Sequence, residues 1–165
     1  MFRKMRRFKQ EISQEETIAI LEQGTSGVLA LSGDEGYPYA VPISYVYSDG
    51  KLYFHCAKQG HKLDAIARCD KASFCVIQQD QVVPEEYTTY FRSAIAFGRA
   101  RVLTDDAEKR HALEILAAKY SPDLPEGRAK EIESGWKAVC LVELAVEHMT
   151  GKISIELVRQ AQQKS

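Results

Sequence analysis

The chain has 165 residues, room for one domain of ordinary size. Its 45% hydrophobic and 27% charged residues exclude a disordered chain. With 22 Lys and Arg against 23 Asp and Glu, the net charge of −1 lacks the positive field of a nucleic-acid binder, so nucleic acid is not an expected partner.

No apolar run approaches the roughly 20 residues that span a bilayer, and the first thirty residues hold no apolar signal core. A cytoplasmic protein with no membrane partner is expected. Cys56, Cys69, Cys75 and Cys140 show neither C-x-x-C spacing nor a dense disulfide pattern. They read as buried, reduced thiols, and no metal site is expected.

Residues 1–12 form a basic arm, with Arg3, Lys4, Arg6, Arg7 and Lys9 interrupted by Phe2, Met5 and Phe8. It reads as a solvated or docking segment, with a phosphate or acidic-ligand contact as the other reading. Ser13 and Glu16 make a capping box, and Ile18, Leu21 and a closing Gly24 predict a short helix that plugs one barrel end. Residues 27–31 predict a first strand, and Gly33-Asp34-Glu35-Gly36 is turn chemistry. A second strand is predicted over 37–47 with Pro38 and Pro42 inside it. Proline lacks the backbone donor, so Pro42 belongs at an edge, a bulge or a ligand contact.

Ser48-Asp49-Gly50 turns the chain into a third strand over 51–56, and Gly60 precedes a predicted helix over 61–68. A fourth strand is predicted over 72–78 and a long fifth over 87–103, bent near Gly98. Asp105 and Asp106 open a helix whose stripe of Leu113, Leu116, Ala117 and Tyr120 reads as plain core packing, ended by Pro122. A short polar helix over 125–134 and a strand over 136–146 follow, and 152–158 either pairs or trails outward. Strands cluster instead of alternating with helices. The expected class is therefore mainly β with flanking helices (α+β), an antiparallel sheet closing on itself within a single domain, 1–165.

The segment His55-Cys56-Ala57-Lys58-Gln59-Gly60-His61-Lys62 ends a strand, turns on glycine and opens a helix beside cationic side chains. Helix-start amides and a lysine suit a phosphate, while a solvated basic turn is the alternative. His61 has two readings: a proton donor near its reference pKa of about 6.5, or a ligand to phosphate or backbone. His111 reads as solvated, His148 as a residue with either a surface or a pocket role, and Trp136 as a core or interface anchor.

Residues 53–66, Tyr-Phe-His-Cys-Ala-Lys-Gln-Gly-His-Lys-Leu-Asp-Ala-Ile, resemble the core motif of the nitroimidazole-resistance (Nim-like) branch of the pyridoxamine 5'-phosphate oxidase-like flavoproteins. Met5-Arg6-Arg7 and the runs 36–47, 87–93, 96–100 and 119–122 resemble that branch in the same order, so the likeness covers most of the chain. It implies an FMN-binding split β-barrel that forms a homodimer, with FMN (or FAD) bound between the subunits. Val41, Pro42, Ile43 and Ser44 would line the isoalloxazine. His55 and Ala57 would lie along the cofactor, and Gly60, His61 and Lys62 would meet its phosphate end. Arg92 and Ser93 would come from the neighbouring subunit, and His61 would be the catalytic residue.

The resemblance implies an FMN-dependent oxidoreductase acting on a small molecule, such as a nitro-aromatic or 5-nitroimidazole. Pyridoxamine phosphate oxidation is disfavoured because the longer basic substrate-binding segments are missing. The rivals are a non-catalytic flavin-binding or sensing protein and a haem-handling split-barrel protein, though no His-centred axial-ligand pattern is evident.

Overall fold

The computed structural model describes residues 1–163. The helix predicted after Ser13 is α1 (Gln14–Gln23), where Ser13 Oγ accepts from the Glu16 amide at 3.1 Å and the Glu16 carboxylate accepts from the Ser13 amide at 3.0 Å. This reciprocal pair satisfies two first-turn donors. On its inner side α1 buries Thr17, Ile20 and Leu21, and each aliphatic side chain so buried contributes roughly 1.5–3 kcal/mol.

Four strands follow, β1 (Ser26–Ser32), β2 (Pro38–Ser44), β3 (Val46–Ser48) and β4 (Lys51–Ala57), and then α2 (His61–Arg68). The single strand expected over 37–47 is two strands. Tyr45 leaves the ladder between them, so that β2 pairs with β1 and β3 with β4. A side chain replaces the strand partner there: Tyr120 Oη accepts from the Tyr45 amide at 2.9 Å and lies 2.8 Å from the Tyr45 carbonyl. Tyr120 is therefore not plain core packing.

The predicted fourth strand is longer than 72–78. It is β5 (Lys71–Val83), which pairs with β6 (Thr88–Val102) past a register shift between Ile77 and Gln79. Beyond that shift Gln78 to Val82 lose the buried alternation, so their sequence carries no strand signal. The bend expected near Gly98 is a register shift between Phe97 and Gly98 against the last strand. A Cβ on Gly98 would stand 1.9 Å from the Ala145 carbonyl oxygen.

Next come α3 (Asp106–Tyr120), capped by the Asp105 carboxylate, and α4 (Pro125–Gly135). The last strand starts later than the predicted 136–146 and runs on to Ile153 as β7 (Val139–Ile153). Residues 152–158, expected to pair or trail, divide between the end of β7 and a helix, α5 (Ile155–Gln163). The run from His148 to Lys152 shows no strand pattern, yet β6 supplies its partners, with Glu147 left out at the register shift.

The sheet order is β2-β1-β5-β6-β7-β4-β3, with every neighbouring pair antiparallel. Its two edge strands are joined through the single residue Tyr45. The sheet therefore curls until its edges meet there, which makes a split barrel. The interior is packed by Leu29, Phe54, Phe74 and Val76 with Ile20 and Leu21 of α1. A second apolar layer sits outside the wall, where Tyr53 and Leu141 meet Ala112 and Leu116 of α3.

Candidate functional site

The split in the barrel positions the candidate residues. Strand β4 pairs with β7 over its whole length, but with β3 only through Lys51 to Tyr53. Phe54 to Ala57 consequently present a free backbone edge among the described residues, and β2, bonded to β1 alone, presents another. The two free edges diverge from Tyr45. At the other end α2 closes the seam, with the His61 ring stacked on Tyr39 of β2 at 4.1 Å between centroids and 27° between planes.

Alternation along β2 sends Tyr39, Val41 and Ile43 half-buried against the core and leaves Ala40, Pro42 and Ser44 exposed. What β2 offers a ligand is thus its backbone edge together with Pro42 and Ser44, and Pro42 lies on an edge strand as its missing donor required. On β4, Phe54 and Cys56 pack toward the interior while His55 and Ala57 are exposed on the outer side.

The chain enters α2 through Gly60, whose φ of 133° favours glycine. The Gly60 carbonyl accepts from the amides of Leu63 and Asp64 at 2.9 and 3.2 Å, and no side chain caps the helix start. The His61 and Lys62 amides are left pointing outward, where the helix dipole favours an anion. Lys62 is half-buried beside Cys56, and among the described residues it has no ion-pair partner.

His61 is fixed by groups that the sequence reading did not single out. Its Nε2 lies 3.5 Å from Asp34 Oδ2, and Arg68 at the far end of α2 grips Asp34 Oδ1 at 2.6 Å. Asp34 stands in the β1–β2 turn, so the turn and both ends of α2 are held together. Tyr39 and Asp34 both lie in segments noted as turn or motif, but their contact with His61 joins residues far apart in the chain.

Beneath His55 and Ala57 a cavity of about 460 Å³ opens on the outer wall. Leu113 and Leu116 of α3, Ile132 of α4 and Val139 of β7 line it, with Arg128 and Glu131 as its charged members. Arg128 is already engaged, donating to the Ser121 and Pro122 carbonyls at 2.7 and 2.8 Å. None of these helix residues carries a site signal in the sequence: Leu113 and Leu116 belong to a stripe that reads as core packing, and α4 is mostly polar.

Arg92 and Ser93 lie far from His55 within one chain, and three strands over from Pro42 on the β2 side. Strand β7 pairs with His55 at Leu141 and with Ser93 at Lys152. Leu141 and Lys152 are eleven residues apart, a path of about 36 Å along the strand at roughly 3.3 Å per residue. Ser93 lies instead on the outer sheet face, in register with Ile77. That face exposes Ile77, Ile95, Val28 and Phe97, with Val28, Cys75 and Ile95 in one cross-strand row. The arm lies across part of it, with Phe2 stacked on His148 at 4.6 Å.

The family model of pyridoxamine 5'-phosphate oxidase matches residues 13–153. Among solved structures the chain is similar to an FAD and haem binding protein from Mycobacterium smegmatis, at 27% identity over 93% of this chain and 80% of that one, with TM-score 0.73. It is also similar to a candidate 5-nitroimidazole antibiotic resistance protein from Bacteroides thetaiotaomicron, at 25% identity over 87% and 86% of the two chains, with TM-score 0.71. The flavocytochrome Anf3 from Azotobacter vinelandii shares the fold at 22% identity, over 92% and 72% of the chains, with TM-score 0.74. No curated protein matches the sequence. No helix is long and apolar enough to cross a membrane among the described residues.

Proposed function

The chain belongs to the pyridoxamine 5'-phosphate oxidase family, and we propose that it is a homodimeric flavoprotein that reduces a small molecule. The observation that carries this reading is the seam. Two unpaired strand edges run from Tyr45 to an uncapped helix start that holds a glycine and an unpaired lysine. The residues present fit a flavin nucleotide: free backbone groups suit a heteroaromatic rim, and the α2 start suits a phosphate monoester. FMN matches that single anionic end, and FAD fits where its adenylate extends into solvent.

In this reading the backbone of Val41 to Ser44, with Pro42 and Ser44 side chains, positions the ring. His55 and Ala57 flank it, and the Gly60–Lys62 turn with the Lys62 ammonium neutralises the phosphate. The flavin, when bound, supplies two-electron redox chemistry. Nε2 of His61 faces Asp34, which leaves Nδ1 as the atom that passes a proton to the reduced product. The acceptor is a small electrophile of the nitro-aromatic kind. Arg92 and Ser93 reach the seam from a second copy, whose exposed apolar face docks there and excludes water.

The decisive experiment is mass identification of the small molecule that copurifies with the native protein, alongside its mass in solution. A flavin in a dimer supports the reading; a monomer that takes up no flavin overturns it. Lys62→Ala is expected to weaken flavin retention at least tenfold by fluorescence titration, and unchanged affinity would remove Lys62 from the phosphate end. A flavin-loaded protein that passes electrons from NADH, NADPH or dithionite to neither nitro compounds nor quinones is a binding or sensing protein.

His55 at the mouth of an apolar cavity favours a second reading, haem in place of or beside the flavin. A Soret band in the purified protein distinguishes it.

A further inference from the structure

Cys56 and Cys140 are cross-strand neighbours, directly opposed in register on antiparallel β4 and β7. Opposed residues in such a ladder have Cα atoms about 4.5 or 5.5 Å apart, and both spacings fall within the roughly 4.4–6.8 Å that a disulfide spans. The Cys140 thiol is near enough to the Cys56 thiol to help raise its pKa. All four cysteines are free and half-buried. Neither of the others has a cysteine in register: Cys69 ends α2, and Cys75 faces Val28 and Ile95.

We propose that Cys56 and Cys140 form an oxidation site that closes reversibly to an intramolecular cross-strand disulfide under a low-molecular-weight disulfide such as oxidised glutathione. One cysteine, as thiolate, attacks a sulfur of the oxidant and releases one glutathione thiol. The other attacks the mixed disulfide and releases the second. Two S–H bonds break and one S–S bond forms in the protein. The oxidant gains both electrons and both protons as two thiols.

The site does not depend on the flavin reading, but its position gives it a consequence. Cys56 leads directly into the Lys58–Gly60 turn, and its neighbours His55 and Ala57 open on the same cavity as Val139, which precedes Cys140. A bond between the strands there removes their freedom to part at the cavity mouth. Burial, with Cys140 adding to it, pushes the Cys56 thiol up to about 11, and the Lys62 ammonium draws it partly back. At neutral pH Cys56 therefore rests as a thiol, and closure is slower than at an exposed cysteine.

The test incubates the full chain as purified with oxidised glutathione, alkylates the remaining thiols and maps the peptides without reduction. Accessible thiols are expected to fall from four to two, with Cys56 and Cys140 peptides linked, the chain lighter by two hydrogens and dithiothreitol restoring the start. Cys56→Ser is expected to trap glutathione on Cys140 or to leave it as a thiol, and Cys140→Ala to do the same for Cys56. Linkage through Cys69 or Cys75, linkage between chains, a lasting glutathione adduct on Cys56 or Cys140 of the wild type, or no loss of thiols would overturn the proposal.

Discussion

His61 is held on two sides by this chain's own residues, stacked on Tyr39 and facing Asp34. A ring fixed in this way loses little orientational freedom when a proton must be passed, which is where a general acid gains its effect. His61→Gln, which keeps a hydrogen-bonding side chain but cannot hold the proton, is expected to retain flavin and to lower turnover about a hundredfold or more. Stopped-flow measurement of electron transfer to a nitro-aromatic acceptor checks this. A variant within a few-fold of wild type would leave His61 a structural residue.

At the scale of elements, single side chains join segments distant in sequence. Tyr45 Oη donates to the Leu21 carbonyl at 2.6 Å, so the residue that breaks the sheet edge also anchors the end of α1. Tyr120 Oη reaches the Tyr45 backbone and the Thr25 carbonyl, and Lys119 sits 4.4 Å above the Tyr45 ring while bonding the Gly24 carbonyl. The end of α3 thus fastens the point from which the seam opens. Tyr120→Phe leaves the Tyr45 amide without this acceptor and is expected to cost about 1–3 kcal/mol in urea unfolding. No change in midpoint would show that water replaces the hydroxyl.

A second junction sits at the other end of α3, beneath its first turn. Glu143 of β7, only 4% exposed, meets Lys51 of β4 at 3.0 Å and Arg101 of β6 at 2.9 Å, and Arg101 continues to Glu108 of α3 at 2.7 Å. Burial by itself would raise the Glu143 carboxyl, but Arg101 and Lys51 outweigh it and hold the group below the usual carboxylate range. A carboxyl lowered on folding stabilises the native state fully above its unfolded pKa, about 4.3 for glutamate, and loses that stabilisation as pH falls through the lower folded value. Urea midpoints are therefore expected to decline below about pH 4.3, with a shallower decline in Glu143→Gln. Parallel acid limbs for the two proteins would argue against it.

For the molecule as a whole, one side of the barrel is covered and the other is not. Helices α3 and α4 pack outside β4 and β7, while the outer face of β1, β5 and β6 leaves Ile77 64% and Ile95 40% exposed. Such a face on a sheet is costly in water and suits a second copy. Ile95→Arg, which places a charge in the middle of the cross-strand row, is expected to give a monomer that loses flavin, read by light scattering and absorbance together. A dimer that keeps its flavin would move the interface elsewhere.

Much of this architecture was legible because its causes are local. The Ser13–Glu16 box, the Gly60 turn into α2 and the bend at Gly98 each depend on neighbouring residues, so a capping pair, a glycine and an alternating pattern announce them. The clustering of strands was enough for an antiparallel barrel with helices at its margins. The break at Tyr45, the β-pairing of residues 148–153 and the cavity that α4 forms with β4 depend on partners about 50 to 80 residues away, and no local pattern encodes them. The sequence by itself determined the segments and the basic, glycine-hinged turn. The tertiary structure decided which strand edges stay unpaired and which residues a single chain keeps apart, because those depend on where a curled sheet runs out of partners.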